Sequence, residues 1–172
     1  MPGVIFRPAV LGDEQHLLRM MRSLAEQEPG AYFFDEPVVQ DVLHKLLANP
    51  DLGQAWVFYE GETPVGYIVL TFGYSFEFHG RDSFIDELYI EPQYRRQGIG
   101  KRAMQFVEER ARELGVNAIH LEVDQGNDPA AELYRRAGYN DHARFLMTKW
   151  LKLPKALDGR TWQRQCQGEE GL

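Results

Sequence analysis

The chain has 172 residues, 44% of them hydrophobic and 26% charged, and a net charge of −7. That length accommodates one α/β domain with its own core, and the composition is that of a globular chain rather than a disordered or fibrous one. The acidic balance argues against nonspecific nucleic-acid binding and tolerates a cationic small substrate. No apolar run approaches the roughly 18–20 residues of a membrane span. The opening Met1-Pro2-Gly3-Val4-Ile5-Phe6-Arg7 meets charge too early for a secretory leader, so the expected compartment is cytoplasmic. Cys166 is the one cysteine, which excludes a disulfide framework and a cysteine-rich metal site, and no histidine grouping has metal spacing.

Val4–Phe6 reads as a short strand closed by Arg7-Pro8. Asp13 to Glu28 carries Leu17, Leu18, Met21, Leu24 and Ala25 on one helical stripe, with Pro29-Gly30 as its stop. Pro37 suits a first helical position, and Val38, Val39, Val42, Leu43, Leu46 and Leu47 form a second stripe up to Asn49-Pro50-Asp51. Strands are predicted at Ala55–Tyr59, Val65–Phe72 and Ser83–Glu91, the first two joined by the turn at Glu60–Pro64. Gly98–Leu114 has the strongest helical pattern, with Ile99, Ala103, Phe106, Val107, Ala111 and Leu114 inward and Gly115 after it. A buried-type strand follows at Ala118–Val123, a short helix at Pro129–Ala137, and a last strand at Ala143–Leu151. One domain over 1–153 is expected, with a polar tail over 154–172. The order β, α, α, β, β, β, α, β, α, β predicts an antiparallel meander followed by a right-handed parallel βαβ unit, hence a mixed sheet.

The run Tyr94-Arg95-Arg96-Gln97-Gly98-Ile99-Gly100-Lys101 is the most telling segment. It gathers bare backbone N–H groups, a helix N-terminus and cationic side chains, a combination that suits a pyrophosphate. A Walker A loop would require glycine at 95 and Ser or Thr at 102, where Arg95 and Arg102 stand. A dinucleotide fingerprint is met formally by Gly98, Gly100 and Ala103, but Pro92 to Arg96 separate the strand from the loop and antiparallel strands precede it. A nucleotide-binding protein and a plain surface turn stay open on the loop alone.

Arg95-x-x-Gly98-x-Gly100 resembles the [Gln/Arg]-x-x-Gly-x-[Gly/Ala] motif of the GNAT N-acetyltransferase superfamily, which cradles the pyrophosphate of coenzyme A. Ile85-Asp86-Glu87-Leu88-Tyr89-Ile90 stands at that family's fourth strand, and Asn127 to Tyr139 resembles its second signature, Asn-x6-Tyr-x3-Gly-[Phe/Tyr]. Tyr74-Ser75-Phe76-Glu77 and Met147-Thr148-Lys149-Trp150 are similar to the branch of spermidine/spermine and thialysine acetyltransferases. The resemblance implies a single GNAT-type α/β domain with a mixed sheet flanked by helices, acetyl-CoA as co-substrate, no metal, and a homodimer with the late strand and tail at its interface. It implies charge on the phosphates from Arg95, Arg96 and Lys101, with amides from Gln97, Gly98, Ile99, Gly100 and Lys101. Leu88, Tyr89 and Ile90 would pair their backbone with the pantetheine arm, across a bulge that turns an N–H toward the thioester. Asn127 would hydrogen-bond the arm, with Ala130 among the cofactor-binding positions. Tyr134 matches the family's general acid, and Asp86 its proposed base in this branch, with Glu87 second.

Acetyl transfer to an amine needs a neutral amine, donors for the developing oxyanion and a proton for the leaving thiolate. No Ser-His-Asp order stands out and Cys166 lies in the tail, so direct attack in a ternary complex is expected over an acyl-enzyme. Alternation of Phe72, Tyr74, Phe76 and Phe78 suits either a pocket-lining face or ordinary strand packing, and Glu26, Glu28, Asp35 and Glu36 suit either an acidic mouth for a cationic acceptor or a solvated face. The acceptor is expected to be a small primary amine (a polyamine, diamine or lysine-like amino acid). A protein or peptide acceptor, and a non-catalytic acyl-CoA-binding regulatory module, are the alternatives.

Overall fold

A computed structural model describes residues 3–27, 34–124 and 126–152. β1 is Ile5–Pro8, α1 Glu14–Gln27, α2 Glu36–Ala48, β2 Gly53–Glu60, β3 Thr63–Ser75, β4 Gly80–Ile90, α3 Ile99–Glu113, β5 Ala118–Leu121 and α4 Asp128–Arg136. Short 3-10 turns precede α1 at Leu11–Asp13 and α3 at Pro92–Tyr94. The five strands form one sheet in the order β1-β2-β3-β4-β5. β1 to β4 pair antiparallel, and β5 lies parallel to β4 after the crossover through α3. The mixed sheet and its βαβ unit are as predicted. Pro8 extends β1 beyond its expected end, which an edge strand permits because a missing N–H is harmless on the outer side.

Alternation along the strands divides the core into two layers. Val57, Tyr59, Tyr67, Val69 and Tyr89 face α1 and α2, against Leu17, Leu18, Met20, Met21 and Leu43. Trp56, Phe58, Ile68, Leu70 and Ile85 face α3, against Ile99, Ala103, Met104 and Val107. A Schellman pair closes α3: Val116 N donates to Ala111 O at 2.9 Å and Gly115 N to Arg112 O at 3.1 Å.

The ladder between β3 and β4 slips once. Val69 faces Glu87 while Leu70 faces Ile85, so Asp86 has no partner on β3. Ile85 and Leu88 are three residues apart and would lie on opposite faces of a regular strand. With Asp86 bulged out, both pack against the α3 layer.

The expected strand at Ala143–Leu151 does not form: residues 143–150 have no regular structure and a bend follows at Leu151. Its alternation is broken by Phe145-Leu146-Met147, and all three side chains are exposed. α1 is described to Gln27, so its predicted Pro29-Gly30 stop lies outside the described residues, as do Glu28, the 154–172 tail and Cys166. Among the described residues no helix is long and apolar enough to cross a membrane.

Leu17 is fully buried between α1 and the sheet. Leu17→Ala should destabilise the fold by about 2–5 kcal/mol through lost transfer energy and a cavity. Chemical denaturation should show a lower midpoint at unchanged slope.

Candidate active site

β5 pairs with β4 only from Asp82–Ala118 to Ile85–Leu121. β4 continues to Ile90 while the chain after Leu121 leaves for α4. The outer edge of β4 from Asp86 to Ile90 therefore has no strand partner among the described residues, and its backbone groups on that side need another. The bulge at Asp86 lies at the start of this free edge.

The strand ends at the mouth of α3. The intervening loop puts Arg96 at φ 60 and Gly98 at φ 79. Left-handed residues in such a turn curl successive N–H groups toward one side. Gly98 is the N-cap of α3 and provides no side-chain cap, so the first amides of the helix face outward without an internal acceptor. A Cβ at Gly98 would meet nothing within 4 Å. Glycine is needed there for its backbone angle, and the space in front of it is open. Gly100 has a different reason, since a Cβ would come within 3.2 Å of Leu133 Cδ2 and 3.5 Å of Ile90 Cδ1. That close approach seats α4 against the start of α3 and the end of β4, and Tyr134 on α4 packs half-buried on the same core layer.

Arg96 and Lys101 are exposed at the loop, where their charge is available. The Arg95 side chain departs from expectation. Its Nε donates to Ile90 O at 2.8 Å and its Nη2 to the Gln27 side-chain carbonyl, so its guanidinium is turned onto protein rather than toward the loop's open side. Asn127 caps α4: its Oδ1 accepts from Ala130 N at 3.3 Å, which occupies the Ala130 amide and leaves the Asn127 amide nitrogen for another partner.

The two neighbouring carboxylates separate. Glu87 accepts from the Tyr67 hydroxyl at 2.9 Å on the α1 side of the sheet. Asp86 makes no hydrogen bond to a described residue. Its carboxylate reaches solvent but lies among close protein walls, and that desolvation raises its pKa. Glu122 follows β5 and is also raised, first by burial, then by the charges of Asp124 and Asp86.

The aromatic stretch does not form a continuous wall. β3 ends at Ser75, so only Phe72 and Tyr74 lie on the strand. Tyr74 and Phe76 are 81% and 96% exposed at the hairpin tip, while Phe78 packs on His120 with ring centroids 4.6 Å apart. Of the expected acidic mouth, Glu36 is paired with Arg22. His142 is exposed. Among the described residues no group of three or more His, Cys, Asp or Glu is placed to hold a metal. Sequence reading missed Tyr67, Glu91, Arg19 and Gln27, whose roles come from contacts between distant segments.

Residues 17–139 match the acetyltransferase (GNAT) family. The chain belongs to that family, whose fold uses acetyl-CoA, and it is an N-acetyltransferase. Among curated relatives, the thialysine N-epsilon-acetyltransferase of Sus scrofa is 31% identical over 154 residues, covering 82% of this chain and 86% of that protein. The peptidyl-lysine N-acetyltransferase YiaC of Escherichia coli K12 is 32% identical over 104 residues, 60% of this chain and 58% of that protein. Among solved structures, an integron cassette protein from the mobile metagenome of Cole Harbour Salt Marsh is 33% identical with TM-score 0.76, covering 87% of this chain and 91% of that one. A Clostridium acetobutylicum protein described as a predicted acetyltransferase with acetyl-CoA shares the fold at TM-score 0.72 and 20% identity, covering 86% and 96%.

The residues present fit that co-substrate: an uncapped helix start, a left-handed loop open in front of Gly98, and a free strand edge leading to both. Gly98→Ala places a Cβ at a positive φ, which costs about 1–2 kcal/mol. The empty loop would relax out of that conformation and regain it on binding, so the acetyl-CoA Kd should rise about tenfold, since 1.4 kcal/mol is a factor of ten. Titration calorimetry measures it.

Proposed function

We propose that this enzyme transfers the acetyl group of acetyl-CoA to the primary amine of a small molecule (a polyamine, a diamine or a lysine-like amino acid) by direct attack in a ternary complex. The observation that carries this reading is the free edge of β4 from Asp86 to Ile90, running into the uncapped start of α3. The thialysine acetyltransferases at 30–31% identity over most of their length support a small lysine-like acceptor. The peptidyl-lysine relative supports a protein lysine as the second reading.

Bound acetyl-CoA supplies an activated thioester. The amides of Gln97, Gly98, Ile99, Gly100 and Lys101, with the Arg96 and Lys101 side chains, would hold its diphosphate. The main chain of Leu88, Tyr89 and Ile90 would hold its arm, with the Asn127 amide nitrogen beside it. An alkylammonium has a pKa near ~10 and is almost wholly protonated at neutral pH. Asp86 takes that proton, directly or through a water. Its raised pKa makes it a stronger base than a fully solvated carboxylate. An N–H freed by the bulge donates to the oxygen on which charge develops. As the amine nitrogen bonds to the acetyl carbon and the carbon–sulfur bond breaks, Tyr134 gives its phenolic proton to the departing sulfur and is reprotonated, directly or through water, by the second proton that nitrogen loses.

We further propose that the protein works as a homodimer. Phe145, Leu146, Met147 and Leu151 are 96%, 72%, 90% and 89% exposed in the single chain, and β5 is an edge strand. An exposed apolar run of this kind supports a contact between copies. Sedimentation equilibrium should give twice the chain mass, and the double variant Phe145→Asp, Met147→Asp should give the chain mass alone.

Thiol release across an amine panel tests the acceptor: turnover with lysine-like or polyamine substrates supports the reading, and turnover confined to peptides replaces it with the second. Tyr134→Phe should lower kcat about 10²-fold at unchanged acetyl-CoA Kd, the scale of one positioned proton transfer. Because burial raises the Asp86 pKa, kcat/KM should fall with decreasing pH from above the ordinary carboxylate value of ~4. Asp86→Asn should lose that acidic limb along with about 10²-fold in rate, whereas Glu87→Gln should keep it. An Asp86→Asn enzyme with the wild-type pH profile would remove Asp86 as the base.

A further inference from the structure

A chain of polar contacts ties the phosphate loop to α1. Glu91, the residue before the loop, is almost buried at 8% exposure. Its Oε1 accepts from Arg19 Nη1 at 2.5 Å and its Oε2 from the Tyr89 hydroxyl at 3.0 Å. Gln27 Nε2 donates to the same Tyr89 oxygen at 3.4 Å, and the Gln27 carbonyl accepts from Arg95. Arg95 returns to the strand through Ile90 O, with its guanidinium carbon 5.7 Å from the Tyr89 ring centroid. Arg19 and Gln27 are eight positions apart, two turns of one helix face. The circuit therefore closes from α1 to the end of β4, to the loop, and back to α1.

This circuit flanks a backbone that turns through a left-handed residue at Arg96. Arg96 carries a side chain at φ 60, an angle that non-glycine residues adopt when neighbours over-determine it. The neighbours here are anchored main-chain bonds: Glu91 N to Val65 O at 2.9 Å, Tyr94 N to Glu91 O at 2.8 Å and Arg95 N to Pro92 O at 3.2 Å. The Glu91 carboxylate and Arg95 guanidinium fix both ends of that segment. An ion pair whose carboxylate is nearly buried contributes little net stability but strongly constrains direction, because that carboxylate left alone is costly. The planar guanidinium places Nε and Nη2 on two acceptors at once, which an ammonium cannot copy.

We propose that Glu91 and Arg95 are positioning residues that orient the diphosphate-binding loop from α1, so that Arg19 and Gln27, on a helix outside the loop, set acetyl-CoA affinity. The inference rests on acetyl-CoA binding at that loop as proposed above. It assigns Arg95 to shaping the site and leaves the charge contacts to Arg96 and Lys101.

The test is titration of acetyl-CoA into the intact protein by calorimetry, with steady-state kinetics and melting temperature alongside. Arg19→Met and Glu91→Gln should each raise the acetyl-CoA Kd and KM about tenfold, with kcat within twofold. The double variant should be no worse than either single one. Arg19→Lys should recover part of the loss. Arg95→Lys should lose as much as Arg95→Ala with the salt dependence of Kd unchanged, whereas a direct phosphate contact would be rescued by lysine. If Arg19→Met fails to fold, Gln27→Ala serves instead, because Gln27 is exposed. Variants that bind acetyl-CoA within twofold of wild type, or that lose kcat at unchanged KM, overturn the proposal. A wild-type protein that does not bind acetyl-CoA overturns the proposed function and this inference with it, so the two failures are distinguishable.

Discussion

β4 and β5 share a ladder for four residue pairs, and then β5 turns away while β4 runs on to Ile90. A half-sheltered strand edge cannot leave its amides and carbonyls without partners at no cost, because each group forgoes a hydrogen bond that water or another strand would have supplied. Here the edge, without a strand partner among the described residues, ends at a helix whose first amides find no side-chain cap among them. Two sets of such backbone groups, one linear and one convergent, meet where β4 crosses over through α3 to β5. An elongated ligand with an anionic end answers both. The rest of the molecule can be read as the means of keeping that edge open and aimed.

The bulge at Asp86 does part of this work. By absorbing one residue it lets Ile85, Leu88 and Ile90 all bury against the α3 layer, which keeps β4 seated on both sides of the opening. It also releases Asp86 from the pleat, at the boundary between paired and free strand. Glu87, one residue on, returns to regular pairing and meets Tyr67 on the opposite layer. Two adjacent carboxylates thus acquire different surroundings from one local irregularity.

Electrostatics separates the two ends of the site. The chain is acidic overall, yet the loop presents Arg96, Lys101 and a helix N-terminus together. Near the bulge the charges are negative, with Asp86 and Glu122 close enough to raise the latter's pKa. An anionic co-substrate and a cationic acceptor are therefore favoured in different places along one strand, which suits a reaction that must bring the two together without exchanging their sites.

Much of this was legible in the residues. Period-3.6 stripes placed α1, α2 and α3, and the turn chemistry at 60–64 placed the hairpin, because those signals depend on neighbours within a few positions. Gly98 and Gly100 marked the loop for a comparably local reason. The expected final strand is absent because apolar residues at 145, 147 and 151 suit a strand only when a sheet edge pairs with them, and among the described residues they join no ladder and stay exposed. The aromatic stretch from 72 to 78 forms no single face because the turn at 76–79, after β3 ends at Ser75, breaks the strand that its spacing presumed.

By itself, then, the sequence determined the elements up to α4, the order that forces a mixed sheet and the glycine turn that opens α3, since all of these follow from backbone preferences and short-range periodicity. Tertiary structure alone decided which carboxylate stands free, where the ladder stops and what Arg95 holds. Those outcomes depend on side chains brought together from far apart along the chain, as with Arg19 and Glu91, 72 residues apart. Packing geometry selects such partners, and no local pattern records them.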